Sequence, residues 1–162
     1  MALLNEDVDI VQLIGFQIGT KLFGATILTV REILRNPVVE QKNSGDPDFV
    51  HGLIRLRGVY LPLVSLGSIL GVDGRRGLDD RPWVLIGLAG RRRVGFLVDG
   101  VIPIVRMRAD AILPPPDMLL SSLRSKYIRG VCETDKGMMM IVALDRIFRA
   151  DEVSVLESIP VK

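Results

Sequence analysis

The sequence predicts an all-β protein. Two observations carry that reading: strand-like stretches broken by turn residues about every eight to twelve positions, and glycines and aliphatic residues that repeat at fixed offsets. Asp9 to Ile18 is a first strand rich in Ile, Val and Phe, and Gly19-Thr20 is a two-residue hairpin connection that begins with a positive φ. Lys21 to Thr29 returns as the second strand. Val38-Val39, Val50 to Leu56 and Val59 to Leu66 are further strands, and Leu66 to Leu70 is one helical turn stopped by Gly71. Val72 to Arg81 has the Gly, Asp and Arg content of a loop.

After that loop the pattern starts again. Gly19, Phe23, Gly24 and Val30 match Gly90, Val94, Gly95 and Val101 at an offset of 71. Gly52, Val64, Leu66, Ile69 and Leu70 match Gly130, Val142, Leu144, Ile147 and Phe148 at an offset of 78. The offset grows because the second copy has a longer middle, around Pro114-Pro115-Pro116. Equivalent glycines at equivalent turns predict two copies of one β unit, folded as two five-stranded barrels with closed edges. A terminal helix follows, capped by Asp151, with Val153, Leu156 and Ile159 on one face.

The 162 residues are enough to bury a core without staples. A hydrophobic fraction of 48% and a charged fraction of 25% fit a soluble globular protein. With 21 Lys+Arg against 19 Asp+Glu, the net charge of +2 argues against a nucleic-acid partner, and an aromatic content of 5% leaves few stacking platforms. No apolar run reaches bilayer length, and the amino terminus, with Glu6, Asp7 and Asp9, lacks a signal-peptide pattern. Cys132 is the one cysteine, so no internal disulfide forms. The expectation is a reduced cytoplasmic protein without membrane insertion.

Catalytic motifs are missing. His51 is the single histidine, lies in a predicted strand and has no Gly-x-Ser-x-Gly elbow to serve. One cysteine and one histidine cannot make a usual zinc site, and Asp7-Val8-Asp9 and Asp46-Pro47-Asp48 do not continue as calcium loops. Gly71 to Gly77 lacks the Gly-Lys-Ser/Thr ending of a phosphate cradle. Arg91-Arg92-Arg93 reads as a solvated hairpin turn, and Met138-Met139-Met140 as core. No enzyme, cofactor or metal is expected.

Four segments in order resemble the CheW family of chemotaxis coupling proteins. These are FQIGTKLFGATILTVREI (Phe16 to Ile33), VHGLIRLRGVYLPLVSL (Val50 to Leu66), GFLVDGVIPIV (Gly95 to Val105), and the stretch from Ile112 through PPPDM and Tyr127-Ile128-Arg129-Gly130-Val131 to Leu144-Asp145. The resemblance covers roughly residues 10 to 150. It implies a single domain over 10–150, built of two intertwined SH3-like barrels at roughly 16–80 and 82–148, with the terminal segment able to cross over. It implies an adaptor, monomeric in isolation, that bridges the cytoplasmic hairpin tip of a chemoreceptor and the regulatory domain of the histidine kinase CheA in membrane-associated arrays.

Residue by residue, the resemblance implies a receptor groove between the barrels, with Val30 and Glu32 on one side, Val98 and Ile104 on the other, and Arg57 as the coupling arginine. It implies kinase contacts at Tyr60 on the first barrel's flank and at Asp117 and Met118 after the prolines. Ser65 stands where many members have Asp, and Leu113 where the family often has a basic residue. The competing readings are a stand-alone barrel protein that binds nucleic acid or a small ligand, and a hydrolase centred on His51.

Overall fold

The computed structural model describes residues 9–72, 81–117 and 127–161. β1 (Ile10–Ile18) and β2 (Lys21–Thr26) form a hairpin turned at Gly19, whose φ of 60° matches the expected positive-φ connection. The second strand stops earlier than expected, because Ile27–Thr29 is a 3-10 turn in which the Thr29 hydroxyl donates to the Thr26 carbonyl at 2.7 Å. β3 (Glu32–Arg35), β4 (Val39–Glu40), β5 (Val50–Leu56) and β6 (Val59–Ser65) follow, then helix α1 (Leu66–Leu70). Ser65 caps α1 by accepting the Ser68 N–H at 3.3 Å, and Gly71 ends it in the left-handed region at φ 77°.

The second copy gives β7 (Trp83–Ala89), β8 (Arg92–Val98), β9 (Gly100–Arg108), a 3-10 turn at Ala109–Ala111, β10 (Ile128–Thr134), β11 (Gly137–Val142), a 3-10 turn at Leu144–Arg146, and helix α2 (Ala150–Ser158). Helix α2 starts one residue before the expected Asp151 cap. Its first turn is closed by the Glu152 carboxylate, which accepts the Arg149 N–H at 2.9 Å.

The duplication is real, but the barrels are not the halves. One sheet has five strands in the order β10-β11-β2-β1-β9, the other six in the order β3-β7-β8-β6-β5-β4. The expected division into 16–80 and 82–148 is therefore corrected: each half lends its opening hairpin to the other. β1 runs antiparallel to β9 with Phe16 opposite Val101, and β2 runs parallel to β11 with Phe23 opposite Met140. Reciprocally, β7 runs antiparallel to β3 with Ile86 opposite Glu32, and β8 runs parallel to β6 with Phe96 opposite Val64. The opening hairpins cross over, and so does the terminal segment, whose Val161 carbonyl accepts the Tyr60 N–H on the six-stranded barrel.

Both sheets curl into SH3-like barrels. β3 and β4 lie at opposite ends of the six-stranded order, yet only Asn36, Pro37 and Val38 separate them. The sheet must bend until its edges meet, and Asn36 turns that corner at φ 57°. In the other sheet, β9 and β10 are the ends, and Leu113 crosses the gap to bridge Val131. The closing strand passes so near that a Cβ on Gly52 would lie 2.7 Å from the Glu40 carbonyl oxygen. A Cβ on Gly130 would lie 2.7 Å from that of Leu113. These two glycines recur because both closures need a strand with no side chain at that point.

Side chains alternate between two environments. Leu13, Leu22, Met139 and Ile141 belong to a small core of the five-stranded barrel, and Ile54, Leu61, Leu63, Val84 and Ile86 to one of the six-stranded barrel. The residues in the opposite phase, among them Ile14, Phe16, Phe23, Val64, Val94 and Phe96, merge into one shared core. Phe16 stacks on Phe23 at 5.6 Å, and Phe96 on Phe148 at 5.7 Å. Cys132 is buried, and of the three consecutive methionines Met139 and Met140 are buried while Met138 is 40% exposed. The arginine run departs from expectation: Arg91 and Arg93 are exposed, but Arg92 is buried.

Candidate partner-binding surfaces

Glu32 and Arg57 are 25 positions apart in sequence, and the six-stranded barrel brings them together. Arg57 occupies the β5–β6 hairpin turn with Gly58, at φ 52° and 80° respectively. Two successive positive φ values make the tight turn that matches strand twist, and asparagine is the usual occupant of the first position. Arg57 takes the strained conformation instead and sends its guanidinium to Glu32 as a two-pronged pair, with Nη1 donating to Oε2 at 3.2 Å and Nη2 to Oε1. The guanidinium holds the Glu32 carboxyl below its ordinary range, with the charge of Arg93 adding to the effect. Glu32 in turn raises Arg57. Exposures of 65% for Arg57 and 30% for Glu32 leave the pair on the surface, where it orients more than it stabilises. Arg93, seen in the sequence only as part of a basic turn, thus belongs to the same electrostatic cluster.

Val30 follows the 3-10 turn and is half-buried, leaning on the shared core. Val98 does not line a surface. It continues the phase of Val94 and Phe96 along β8, points into the shared core and is 3% exposed, so its role as a groove wall is corrected to packing.

Ile104 is 56% exposed, and the reason lies in β9. In the first copy Ile33 alone faces Leu85. In the second, Leu13 faces Val105 and Gly15 faces Ile102, so Pro103 and Ile104 together oppose Ile14, the counterpart of Leu85 at an offset of 71. This is a β-bulge, which re-aims side chains and is suited to functional edges. It turns a large aliphatic side chain toward solvent on one barrel, while Val30, Glu32 and Arg57 sit on the other.

Tyr60 is half-buried on the β6 flank, beneath the Arg55 guanidinium 5.6 Å from its ring centroid. Its N–H donates to the Val161 carbonyl at 2.7 Å and its carbonyl accepts from Arg92 at 2.9 Å. A cleft of about 290 Å³ opens beside it, between Glu40, Leu53 and Pro160. Asp117 is exposed after the prolines, and Met118 lies outside the described residues. Leu113 is 58% exposed on the closing bridge. His51 is exposed on β5. Among the described residues no cluster of His, Cys, Asp or Glu could hold a metal, and no helix is long and apolar enough to cross a membrane.

The family model for the CheW-like domain matches residues 12–152. The chemotaxis protein CheW of Klebsiella aerogenes is 28% identical over 144 residues, covering 89% of this chain and 85% of that protein. The probable chemotaxis protein CheW of Rhizobium etli is 32% identical over 142 residues, covering 87% and 89%. Among solved structures, the scaffolding protein TtCheW from Thermoanaerobacter tengcongensis superimposes with a TM-score of 0.75 at 24% identity, over 89% of this chain and 96% of that one. With a family match over most of its length and the same paired-barrel fold, the chain belongs to the CheW family.

Proposed function

We propose that this protein is a chemotaxis adaptor that couples the cytoplasmic hairpin tips of chemoreceptors to the regulatory domain of the histidine kinase CheA. The family match over residues 12–152 carries the reading, and the family is one of non-enzymatic scaffolds. No comparison supports a nucleic-acid or small-ligand binder. In this reading the protein is a monomer by itself and reaches membrane-associated arrays through its partners.

The receptor contact is assigned to the side that carries Val30, Glu32, Arg57 and Ile104. A receptor tip offers a helical surface, and an aliphatic side chain re-aimed by the β9 bulge suits its apolar stripe. The fixed Glu32–Arg57 fork supplies charge pattern and register more than affinity. The kinase contact is assigned to the Tyr60 flank and to Asp117-Met118. Three consecutive prolines hold the approach to Asp117, so ordering this segment on docking costs little entropy.

Calorimetric titration with the regulatory domain of a CheA-type kinase tests the assignment. Saturable one-to-one binding is expected, lost on Tyr60→Ala or on changing Asp117-Met118 while the receptor tip still binds. Absence of binding by the folded wild-type chain would defeat the kinase half of the proposal.

A further inference from the structure

Arg92 opens β8, yet it is only 8% exposed. Three main-chain carbonyls hold it: Nη1 donates to Ile159, and Nη2 donates to Tyr60 at 2.9 Å and to Pro160 at 3.4 Å. Its Nε is buried with no hydrogen-bond partner, and burial pushes its pKa down. Among the described residues no carboxylate pairs with it. An arginine keeps its charge under such conditions, and a buried charge served only by carbonyls is costly beside an apolar residue of similar size. What the guanidinium adds is a three-way tie between β8, β6 and the segment Ile159–Val161.

The tie has a specific location. β6 pairs with β8 only along Leu63–Ser65, so at Tyr60 that side of the strand has no strand neighbour. The Val161 carbonyl takes the Tyr60 N–H and Arg92 serves the Tyr60 carbonyl, so segment and guanidinium together stand in for the missing strand. Ile159 anchors the segment in the shared core at 5% exposure, and Pro160 forms one wall of the cleft beside Tyr60.

We propose that Arg92 is a positioning residue for the kinase-facing flank: by tying Ile159–Val161 to β6 it fixes the setting of Tyr60 and the shape of the adjoining cleft. The inference rests on the assignment of Tyr60 above and adds a buried residue that acts through it. The test titrates wild type, Tyr60→Ala, Arg92→Met, Arg92→Lys and a chain ending at Ile159 against the kinase regulatory domain and, separately, a receptor-tip fragment.

Arg92→Met should weaken kinase binding about tenfold or more while receptor affinity stays within about twofold. Arg92→Lys should recover part of the loss, since an ammonium reaches fewer of the carbonyls. The chain ending at Ile159 keeps the core anchor but loses the Pro160 carbonyl that accepts from Arg92 and the Val161 carbonyl that accepts from Tyr60; it should weaken kinase binding as Arg92→Met does, and combining the two changes should add little. Unchanged kinase affinity in folded Arg92→Met, with Tyr60→Ala impaired, overturns the inference, and so does an equal loss toward both partners. Should Arg92→Met fail to fold, the chain ending at Ile159 decides by the same comparison. Wild-type kinase binding by Tyr60→Ala would instead remove the flank assignment, and the inference with it.

Discussion

Ile104 offers the sharpest test of the receptor assignment, because its exposure can be turned into an expected loss. Full burial of an isoleucine side chain is worth about 1.5–3 kcal/mol. With 56% of the residue still exposed, roughly half of that, about 1–1.5 kcal/mol, is available to a partner. Ile104→Ala should therefore weaken receptor-tip binding about fivefold to tenfold in a calorimetric titration. Ile104→Asp should abolish it, since a carboxylate forced into an apolar contact without a partner costs several kcal/mol more, on the order of a broken buried pair. Both variants should melt within about 3 °C of wild type and bind the kinase domain normally. Deleting Pro103 provides an orthogonal arm: it removes the extra residue and restores the pairing of the first copy. Ile104 is then withdrawn although the side chain is kept, and receptor binding should fall as in Ile104→Ala. Folded Ile104→Asp with wild-type receptor affinity would refute the assignment. Unfolding of that variant would refute the premise that the bulge frees Ile104 from packing.

Other outcomes follow from the same geometry. Glu32 has its pKa lowered by Arg57, so the pair's contribution is complete above the ordinary glutamate value and disappears as pH falls through the depressed one. Between about pH 5 and 3 the urea midpoint of wild type should fall slightly more than that of Glu32→Gln, and added salt should shrink the difference. Equal falls would mean that the pair contributes nothing to folding. Gly52→Ala and Gly130→Ala each place a methyl 2.7 Å from a carbonyl oxygen and should lower stability by about 1–3 kcal/mol in urea titrations. Gly45→Ala, with nothing within 4 Å, should leave the midpoint unchanged, and a similar loss there would argue against the closure clash. Burial pushes the Cys132 thiol up, so it should resist alkylation at neutral pH until the chain is unfolded; rapid native labelling would contradict its position in the core.

The strands around Gly19, Gly52, Gly90 and Gly130 were legible in the sequence because turns and close approaches demand glycine. What those offsets could not tell is which strands pair. Equivalence between copies is written in residue types, but exchange of partners is a matter of hydrogen bonds between positions as distant as Phe23 and Met140. β3 has no signature in the sequence, because a four-residue strand with Glu32 and Arg35 at its ends shows no clear alternation. Val98 is in phase with Val94 and Phe96, so its periodicity places it in the core although the family pattern places it at the groove. Arg92 is also in phase with Val94 and Phe96, which sets it apart from Arg91 and Arg93, but residue type gives no sign of the Ile159 and Pro160 carbonyls that accept its guanidinium there.

The exchange of opening hairpins has a consequence for how the molecule comes into being. Neither half is a folding unit: Phe16 waits for Val101, and Phe23 for Met140, before the first hairpin has neighbours on both edges. During synthesis β2 of that hairpin lacks its outer neighbour until Met140 has emerged. Cutting the chain between the copies should leave two fragments that regain structure only by complementing each other. In topology the protein is a swapped dimer written as one polypeptide. The β9 bulge has no counterpart in β3, and the two successive positive φ values at Arg57 and Gly58 have none at the β10–β11 turn, so the two copies present different surfaces to partners.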